Sequence, residues 1–352
     1  MAKRGKHRSD DRLQTHDQET GELMDVSIII VNYNTKDVLR DCLESIYEQT
    51  RQVHFEVIVV DNASADGSVN MIKDCFSKVI LIENSENRGF AAANNQGIKI
   101  AKARYLLLLN SDTVILDDAI RKTVEFADSH KEAGILGCRV LNPDSSLQPT
   151  CFMFPSLLNA VLLTSYLNNL FPRNRFFGRE QMTWWDRTDE REVDVVTGCF
   201  MLVRKTAIKQ VGEMDTRFFM YAEETDWCYR FKQADWKIMF TPVGEIIHAG
   251  GCSAKQMKPK MVLQLRASVL LFFKKHRTRL SYRVACLFMS LFFLLRIPYW
   301  LERAVSSHGT QKLGWQMARA YGVGAFKALF GWQALCAKNR QTPTSNSLRR
   351  QD

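Results

Sequence analysis

The feature that most constrains the fold is a short apolar run at residues 105–109, which ends abruptly at Asn110, Ser111 and Asp112. A run this short, apolar on both faces, is typical of a strand buried inside a parallel sheet. Polar side chains at the carboxyl end of such a strand lie where open α/β sheets bind ligands. Asp112 could therefore hold a divalent cation through oxygen, and the cation could hold a diphosphate. The alternative is that the triplet only caps a helix starting near Leu116.

Apolar runs alternate with helical spacing on both sides of this strand, and the connections are short. Together they predict a doubly wound α/β fold in which a mostly parallel, Rossmann-like sheet is flanked by helices. No Gly-x-Gly-x-x-Gly motif follows the first strand, so a dinucleotide-binding fold has no local support. The predicted strands are 26–31, 55–60, 79–82, 134–140, 193–197, 200–203 and 237–240, and the predicted helices are 37–47, 69–76, 90–103, 113–129, 156–170 and 217–232.

The net charge of +10 is unevenly divided along the chain. Residues 1–24 hold equal numbers of basic and acidic side chains, and residues 258–352 carry seventeen Lys or Arg against Glu302 and Asp352. Residues 25–257 therefore sum to −5. Uniform basicity would suggest a nucleic-acid partner. This asymmetry instead favours contact with an anionic membrane surface and no nucleic acid.

The basic tail, residues 258–340, is also apolar. Residues 284–295 hold one polar side chain and are followed by Arg296, Tyr299 and Trp300. A spanning helix needs about 20 apolar residues, so this interrupted run favours an interfacial or re-entrant helix. Basic residues beside apolar ones, with Tyr and Trp at the boundary, fit the cytoplasmic leaflet. The alternatives are a helical subdomain packed on the core and a true transmembrane span.

Three further segments carry organisational signals. Residues 1–24 and 341–352 are predicted to be disordered, and residues 173–191, rich in charged and aromatic side chains, are predicted to form a mobile loop. The nine cysteines form no Cys-x-x-Cys pair, and the polar residues 1–24 do not resemble a secretory signal. Both observations favour a reducing, cytosolic location with free thiols.

Six sequence blocks follow one another in a fixed order between residues 25 and 257: VSIIIVNYNTKDVLRDCLESI, EVIVVDNASADGS, NRGFAAANNQGI, YLLLLNSDT, VTGCFMLVRK and FFMYAEETDWCYR. In this order they resemble glycosyltransferase family 2, and most closely its bacterial rhamnosyltransferase-like branch. The resemblance implies a GT-A fold over residues 25–257, a nucleotide-sugar donor, a divalent metal ion (Mg²⁺ or Mn²⁺) and inversion at the anomeric carbon.

The resemblance also implies which residues hold the metal ion. Asp112 is the first candidate ligand, and His248, after a late strand, is the second; the alternative for His248 is an ordinary core or surface histidine. A bound cation would neutralise charge that develops on the leaving diphosphate. The family usually shows an Asp-x-Asp motif, whereas position 110 here is Asn. With one carboxylate missing, metal binding depends more on the diphosphate.

Several residues are predicted to contact the nucleotide-sugar. Asp61 ends the second strand and could accept a hydrogen bond from the ring N–H of the donor's nucleobase. The resemblance places Arg88, Gly89 and Asn94 in a loop that contacts nucleotide and phosphate, where Arg suits an anion and Gly permits close backbone approach. Turn chemistry is the alternative at residues 32–34. The remaining predicted contacts are Asn32, Tyr33, Asn34, Asn62, Asn110, Ser111, Thr197 and Gly198.

The catalytic base is expected among Glu223, Glu224 and Asp226, because crowded carboxylates raise at least one pKa and favour proton uptake. The family pattern usually reads Glu-Asp-x-Asp with the second acid as base, and that position is Glu224 here. Glu223 or Asp226 would orient donor or acceptor; the alternative is that all three only favour a helix N-terminus. Trp184 and Trp185 could stack on an acceptor sugar or anchor their loop.

These observations favour an inverting, metal-dependent glycosyltransferase at the cytoplasmic side of the inner membrane, peripheral or monotopic. It would transfer L-rhamnose from dTDP-rhamnose to a lipid-linked saccharide acceptor in surface polysaccharide synthesis. The same machinery would serve a UDP-linked hexose, N-acetylhexosamine or galactofuranose. An inactive membrane scaffold is favoured only by Asn110 and Glu224, and Asp61, Asp112 and His248 argue against it. The oligomeric state is open, a homo-oligomer included.

Overall fold

The computed structural model describes residues 24–250, 258–306 and 311–330. The predicted disordered segments 1–24 and 341–352 therefore lie outside the described residues, apart from Met24, and so do parts of the tail 258–340. The strands are β1 (Val26–Asn32), β2 (Phe55–Asp61), β3 (Ile80–Glu83), β4 (Tyr105–Asn110), β5 (Thr113–Leu116), β6 (Ala133–Leu141), β7 (Cys151–Phe152), β8 (Arg191–Glu192), β9 (Val195–Val196), β10 (Phe200–Arg204) and β11 (Lys237–His248). The helices are α1 (Lys36–Gln49), α2 (Ser68–Cys75), α3 (Phe90–Ile100), α4 (Ala119–Ser129), α5 (Leu157–Thr164), α6 (Leu167–Leu170), α7 (Lys205–Val211), α8 (Glu223–Gln233), α9 (Lys258–His276), α10 (Arg279–Leu294), α11 (Ile297–Ser306) and α12 (Gln311–Phe330).

One mixed sheet runs through the domain, with its strands in the order β3-β2-β1-β4-β10-β6-β11-β5 and with β8 paired to β11. β1 to β4 are parallel to one another, β10 is antiparallel to β4 and β6, and β11 is parallel to β6 but antiparallel to β5. One face packs against α1, α2 and α4, and the other against α3, α7 and α8. The predicted α/β fold is therefore confirmed.

The apolar run that predicted the central strand is buried on both faces. Each side chain of residues 106–109 is at most 1% exposed, and burying a leucine contributes about 2 kcal/mol. Leu106 and Leu108 pack into one core, while Leu107 and Leu109 pack into the other. This burial fixes β4 in the middle of the sheet and therefore fixes the position of the polar triplet that follows it.

The register brings polar strand ends together at one edge. Asn32 ends β1 opposite Asp61, the last residue of β2, and β4 ends beside them at Asn110. His248 ends β11 opposite Thr113 of β5. Residues that are far apart in the sequence thus meet where the parallel strands end, as expected for a ligand-binding edge.

The helix predicted at 113–129 is wrong in its first part. Residues 113–116 form β5, whose side chains alternate between buried and half-buried, and α4 begins only at Ala119. The strand forms because β11 offers an unpaired edge that β5 completes. The triplet before β5 therefore does not cap a helix.

The region between β7 and β8 is less regular than predicted. The helix expected at 156–170 is divided into α5 and α6, with Ser156 accepting the N-cap hydrogen bond from the N–H of Asn159. Residues 173–190 form turns without a strand or longer helix. This segment still packs on the domain, since Arg187 is 1% exposed and donates to the carbonyls of Gln181 and Trp185. Its mobility stays a prediction.

Helices α9 to α12 form what we call the C-terminal helical region. They share an apolar core of their own, against which Leu157 and Leu163 of α5 pack. By length and composition alone the stretch Arg279–Ser306 could cross a membrane. Within its apolar 18-residue segment, 33% is buried inside the protein. Arg296 interrupts that stretch and donates to the carbonyls of Leu163 and Thr164. Packing of the tail on the domain, one of the alternatives above, is thus observed for the described helices.

Candidate active site

A cleft of about 270 Å³ opens at the carboxyl ends of the parallel strands, between the start of α3 and the loop that precedes α8. It gathers predicted donor and metal residues from five separate segments of the chain. Those that line it are Tyr33, Asn62, Gly89, Asn110, Ser111, Asp112 and His248.

The two predicted metal ligands meet in this cleft. Asp112 Oδ1 lies 3.2 Å from His248 Nε2, and Asn110 Nδ2 lies 3.1 Å from the same nitrogen. Two ligands at adjacent corners of an octahedron with bonds of about 2.1 Å lie about 3 Å apart. The spacing therefore fits one hard divalent cation shared by an oxygen and an imidazole nitrogen. No group of three or more His, Cys, Asp or Glu side chains suited to a metal occurs in the described ranges, so such a cation would need further ligands from substrate and water.

The strand-end residues Asn32 and Asp61 hold each other. Asn32 Nδ2 donates to Asp61 Oδ2 over 2.8 Å, and Asn32 Oδ1 accepts from the Thr35 hydroxyl over 2.6 Å. Asp61 Oδ1 accepts from the N–H of Ser64 over 2.8 Å, and Asn34 Oδ1 accepts from the N–H of Ala65 over 2.7 Å. Turn chemistry, the alternative for residues 32–34, is thus what Asn32 and Asn34 perform. Asp61 is 1% exposed, and its contact with the nucleobase of the donor stays a prediction.

Gly89 lets two segments of the cleft approach each other. Its φ is +81°, and a Cβ there would lie 2.4 Å from the carbonyl oxygen of Phe219, so a larger residue would push the segments apart. The same carbonyl accepts from the N–H of Phe90 over 2.9 Å. Arg88 is exposed beside this turn. Asn94 is 1% exposed and donates to the Phe90 carbonyl, so it supports the start of α3 from behind the cleft.

The predicted base lies at the start of α8, directly after a strained turn. Tyr221 and Ala222 have φ values of 68° and 63°, a left-handed conformation that non-glycine residues adopt at a cost. Burial and the neighbouring charge of Glu224 raise the pKa of Glu223 well above its usual range. Burial also raises the pKa of Glu224, to about 7. Near neutral pH, Glu224 is thus the carboxyl group of this pair that can exchange a proton.

None of the three predicted carboxylates lines the cleft. Both oxygens of Asp226 are in addition engaged by other side chains, so its predicted role in orienting donor or acceptor requires correction. The side chain is fully buried. Oδ2 accepts from Arg230 Nε over 2.9 Å, while Oδ1 accepts from Lys275 Nζ over 2.6 Å and from His276 Nε2 over 2.7 Å. Lys275 and His276 belong to α9. Asp226 therefore links α8, the helix that carries the predicted base, to the C-terminal helical region. We call these four residues the Asp226 cluster.

The adjacent tryptophans differ in exposure. Trp185 is 4% exposed and packs edge-to-face on Phe240, with ring centroids 4.8 Å apart, so its ring has no free face for a sugar. The structure therefore favours the alternative in which Trp185 anchors its loop. Trp184 is half-buried beneath the guanidinium groups of Arg175 and Arg191. Its contact with an acceptor stays a prediction.

Thr197 and Gly198 lie behind one wall of the cleft. The Thr197 hydroxyl is 3.1 Å from Cys199 Sγ. A Cβ on Gly198 would lie 3.1 Å from the ring of Phe90, which lines the cleft. Gly198 therefore shapes the wall through Phe90, and direct contact of either residue with the sugar stays a prediction.

Some residues of the site were missed. Phe219, Met220 and Tyr221 line the cleft, and their position immediately before the carboxylates was an available signal. Gln148 was also missed: its Oε1 lies 2.7 Å from His248 Nδ1. Nothing in the local sequence marks Gln148, because only the register of β6 and β11 brings it to the histidine.

Comparisons with known proteins agree with this geometry. The family model described as Glycosyl transferase family 2 matches residues 27–212. An N-acetylglucosaminyl-diphospho-decaprenol L-rhamnosyltransferase from Mycobacterium tuberculosis is 27% identical over 235 residues, which are 63% of this chain and 75% of that protein. A UDP-Glc:alpha-D-GlcNAc-diphosphoundecaprenol beta-1,3-glucosyltransferase from Escherichia coli is 38% identical over 109 residues, 30% of this chain and 42% of that protein.

The fold also resembles a solved structure. The mannosyltransferase from Pyrobaculum calidifontis, determined in complex with GDP-Man and Mn²⁺, aligns over 87% of each chain with a TM-score of 0.52 and 15% identity. At this identity the likeness concerns the fold alone. Because the family match covers more than half of the sequence and agrees with the sheet order and the cleft, the chain belongs to glycosyltransferase family 2 and is a glycosyltransferase.

Proposed function

We propose that this protein is an inverting, metal-dependent glycosyltransferase that moves a sugar from a nucleotide-sugar to a hydroxyl of a lipid-linked saccharide. The observation that carries the proposal is the convergence on one cleft of the Asp112–His248 pair and the α8 turn. The pair suits a cation, and the turn leads directly to a carboxyl group with a pKa of about 7.

Asp112 and His248 would hold the cation, which when bound supplies positive charge to the diphosphate as it leaves. Asp112 contributes an anionic oxygen, and His248 contributes an imidazole nitrogen. Asn110, beside His248 Nε2, replaces a carboxylate with a neutral amide and so lowers the negative charge of the site. The remaining positions would be filled by diphosphate oxygens and water. Metal binding should therefore be weak without nucleotide and tighter with it.

Glu224 would act as the base. In its ionised form it takes the proton of the acceptor hydroxyl, and the acceptor oxygen forms a bond to the anomeric carbon from the side opposite the diphosphate. The bond between that carbon and the diphosphate oxygen breaks, and its electron pair leaves with the diphosphate. A base with a pKa near the working pH combines an adequate ionised fraction with an adequate affinity for the proton. Glu223, whose pKa is higher, stays protonated and serves as a hydrogen-bond donor.

The preferred donor is dTDP-rhamnose, and the preferred acceptor is a saccharide linked through diphosphate to a polyprenol. The mycobacterial relative, named as an L-rhamnosyltransferase acting on such a lipid, supports both choices. A UDP-hexose is the second candidate, because the relative from Escherichia coli is named for UDP-glucose and is more similar over the region it shares. UDP-N-acetylhexosamine and UDP-galactofuranose would use the same cation and base.

The C-terminal helical region would hold the enzyme at an anionic membrane surface, at the cytoplasmic side of the inner membrane. Its helices expose large apolar side chains and carry thirteen Lys or Arg residues against Glu302 within the described ranges. Apolar side chains next to basic ones are the combination that binds the interface of an anionic leaflet. We favour this peripheral or monotopic arrangement over a full span because Arg296 is engaged by α5.

Calorimetry with a panel of donors tests the proposal. dTDP-rhamnose, UDP-glucose, UDP-galactose, UDP-galactofuranose and UDP-N-acetylglucosamine are titrated into the protein with Mn²⁺, with Mg²⁺ and with EDTA. We expect one donor to bind, and only with metal; Asp112→Ala should abolish the metal dependence, whereas Asp117→Ala, an exposed aspartate outside the cleft, should leave it intact. Absence of binding across the panel by folded protein would favour the inactive scaffold.

A further inference from the structure

Near His248, the turn between β6 and β7 forms a chain of hydrogen bonds. The turn is closed by its backbone: the N–H of Asn142 donates to the Ser146 carbonyl over 2.8 Å, and the N–H of Gln148 donates to the Val140 carbonyl over 2.9 Å. Because β6 and β11 are parallel neighbours, this turn lies beside the last residue of β11. Its side chains therefore reach the imidazole from the side opposite the cleft.

Each hydrogen bond in the chain has a determined direction. Hydrogen bonds from Ser146 lower the pKa of Asp144, so its carboxylate is ionised near neutral pH and can only accept. The Ser146 hydroxyl donates its one proton to Asp144 Oδ1, 2.6 Å away. Ser146 Oγ must therefore accept from Asn142, whose Nδ2 lies at 2.9 Å. This leaves Asn142 Oδ1 as an acceptor, and Gln148 Nε2 donates to it over 2.7 Å.

A second acceptor fixes the orientation of Gln148 independently. Its Nε2 also donates to the backbone carbonyl of His248 over 3.2 Å, and a carbonyl can only accept. Gln148 Oε1 consequently faces His248 Nδ1 at 2.7 Å, and this contact is a hydrogen bond only if Nδ1 carries the proton. In a neutral imidazole the other nitrogen, Nε2, then carries a lone pair and accepts from Asn110 Nδ2 over 3.1 Å. Asp112 Oδ1, 3.2 Å from the same nitrogen, also offers only lone pairs, so the two face the position that a cation would take.

We propose that Gln148 is a positioning residue: through the chain that starts at Asp144, it holds His248 as the Nδ1–H tautomer with Nε2 directed at the cation position. The role for the cation rests on the proposed function, whereas the tautomer does not. Partners of this kind behind a metal-bound histidine fix its orientation and raise its basicity. The turn following β6 therefore prepares the histidine before any ligand arrives.

Nitrogen NMR on protein labelled with ¹⁵N-histidine tests the tautomer directly, with spectra recorded at increasing pH until the imidazole signals no longer change. The His248 signals are identified by their loss in His248→Ala. We expect the proton on Nδ1 in the wild-type protein, a shift toward Nε2–H in Gln148→Met, which cannot accept, and retention of Nδ1–H in Gln148→Glu, which can. Ser146→Ala, at the far end of the chain, should give a smaller shift. His130, whose Nδ1 faces the Phe126 carbonyl, is an internal control that should not change.

Manganese binding, followed by electron paramagnetic resonance with nucleoside diphosphate present, tests the consequence. Gln148→Met should weaken Mn²⁺ binding about tenfold, as is typical for loss of such a partner, and Gln148→Glu should restore it. A proton on Nε2 in the wild-type protein, or an unchanged tautomer in Gln148→Met, would overturn the inference. If His248→Ala leaves Mn²⁺ affinity unchanged, the cation site of the proposed function is wrong, and the nitrogen spectra still decide the tautomer.

Discussion

Residues 24–250 and the C-terminal helical region differ in how many large apolar side chains they expose. Of the 22 large hydrophobic side chains exposed in the described ranges, thirteen lie in residues 279–330 and five in residues 158–176 beside them. The rest of the domain exposes four. The charge divides at the same place, since the domain is mildly acidic and the tail strongly basic. The domain thus exposes few large apolar side chains, whereas the surface of the C-terminal helical region is both apolar and basic, as the proposed contact with a membrane requires.

The largest expected effect concerns residues 24–250, which contain the candidate active site. Glu224→Gln should lower turnover by about 10²–10⁴-fold, because the proposed general base is removed while the shape is kept. Glu223→Gln is the matched control: it imitates a carboxyl group that is already protonated, so the loss should stay below about tenfold. Turnover with saturating substrates, together with donor binding by calorimetry, measures both. Near-normal turnover of Glu224→Gln would place the base elsewhere.

The second prediction concerns the joint between the two regions. Asp226→Asn should reduce the free energy of unfolding by about 3 kcal/mol, because it leaves the half-buried Arg230 and Lys275 without their buried anion. Urea unfolding at pH 7 measures the change. Asp215→Asn is a useful comparison, since Asp215 also pairs with Lys275 but lies nearer the surface, and it should cost less. Equal, small losses for both variants would show that the two regions do not depend on the Asp226 cluster.

The third prediction tests the surface of the helical region. Phe326→Glu combined with Phe330→Glu should reduce binding to vesicles of anionic lipid about 100-fold, because two phenylalanines no longer enter the interface. Both side chains are highly exposed, at 65% and 74%, so folding should be preserved. The control is Ile80→Glu with Ile100→Glu, which changes the exposed apolar residues of the domain. If both pairs behave alike in vesicle sedimentation, the distinction between the two surfaces fails.

The smallest expected effect is the dependence of turnover on pH. As the proposed base, Glu224 must be ionised to accept a proton, and burial raises its pKa to about 7. The rate should therefore rise with pH through neutrality, roughly tenfold between pH 6 and pH 8. A profile that is flat over this range, measured with donor and metal saturating at each pH, would show that another group accepts the proton.

Much of the fold follows from local sequence, but some of it does not. The runs that became β1, β2 and β4 were predictable because strands buried on both faces must be apolar throughout. The strand β5 was not predictable, because its four residues suit a helix equally well. Only pairing with the edge of β11 makes them a strand. In the site, Asp112 was marked by its own strand. His248 was found only through the family resemblance, since the register that brings it to Asp112 is not visible locally.

The carboxylates of α8 show the same limit more clearly. Local sequence places Glu223, Glu224 and Asp226 in one acidic group. Glu223 and Glu224 come shortly after residues 219–221, which line the cleft. Asp226 instead binds Lys275 and His276, which lie about fifty residues later in the chain. Side chains at adjacent helical positions point in different directions, and only the packing of α9 determines which direction leads to a partner.

The Asp226 cluster has a practical consequence for anyone who wishes to isolate the catalytic domain. A fragment ending before α9 would keep Arg230 but lose both of the partners that hold Asp226 Oδ1. Of its three partners Asp226 would then retain only Arg230, on the same helix that carries the proposed base. Failure of such a soluble fragment would report a damaged active-site helix and would not by itself demonstrate a requirement for lipid.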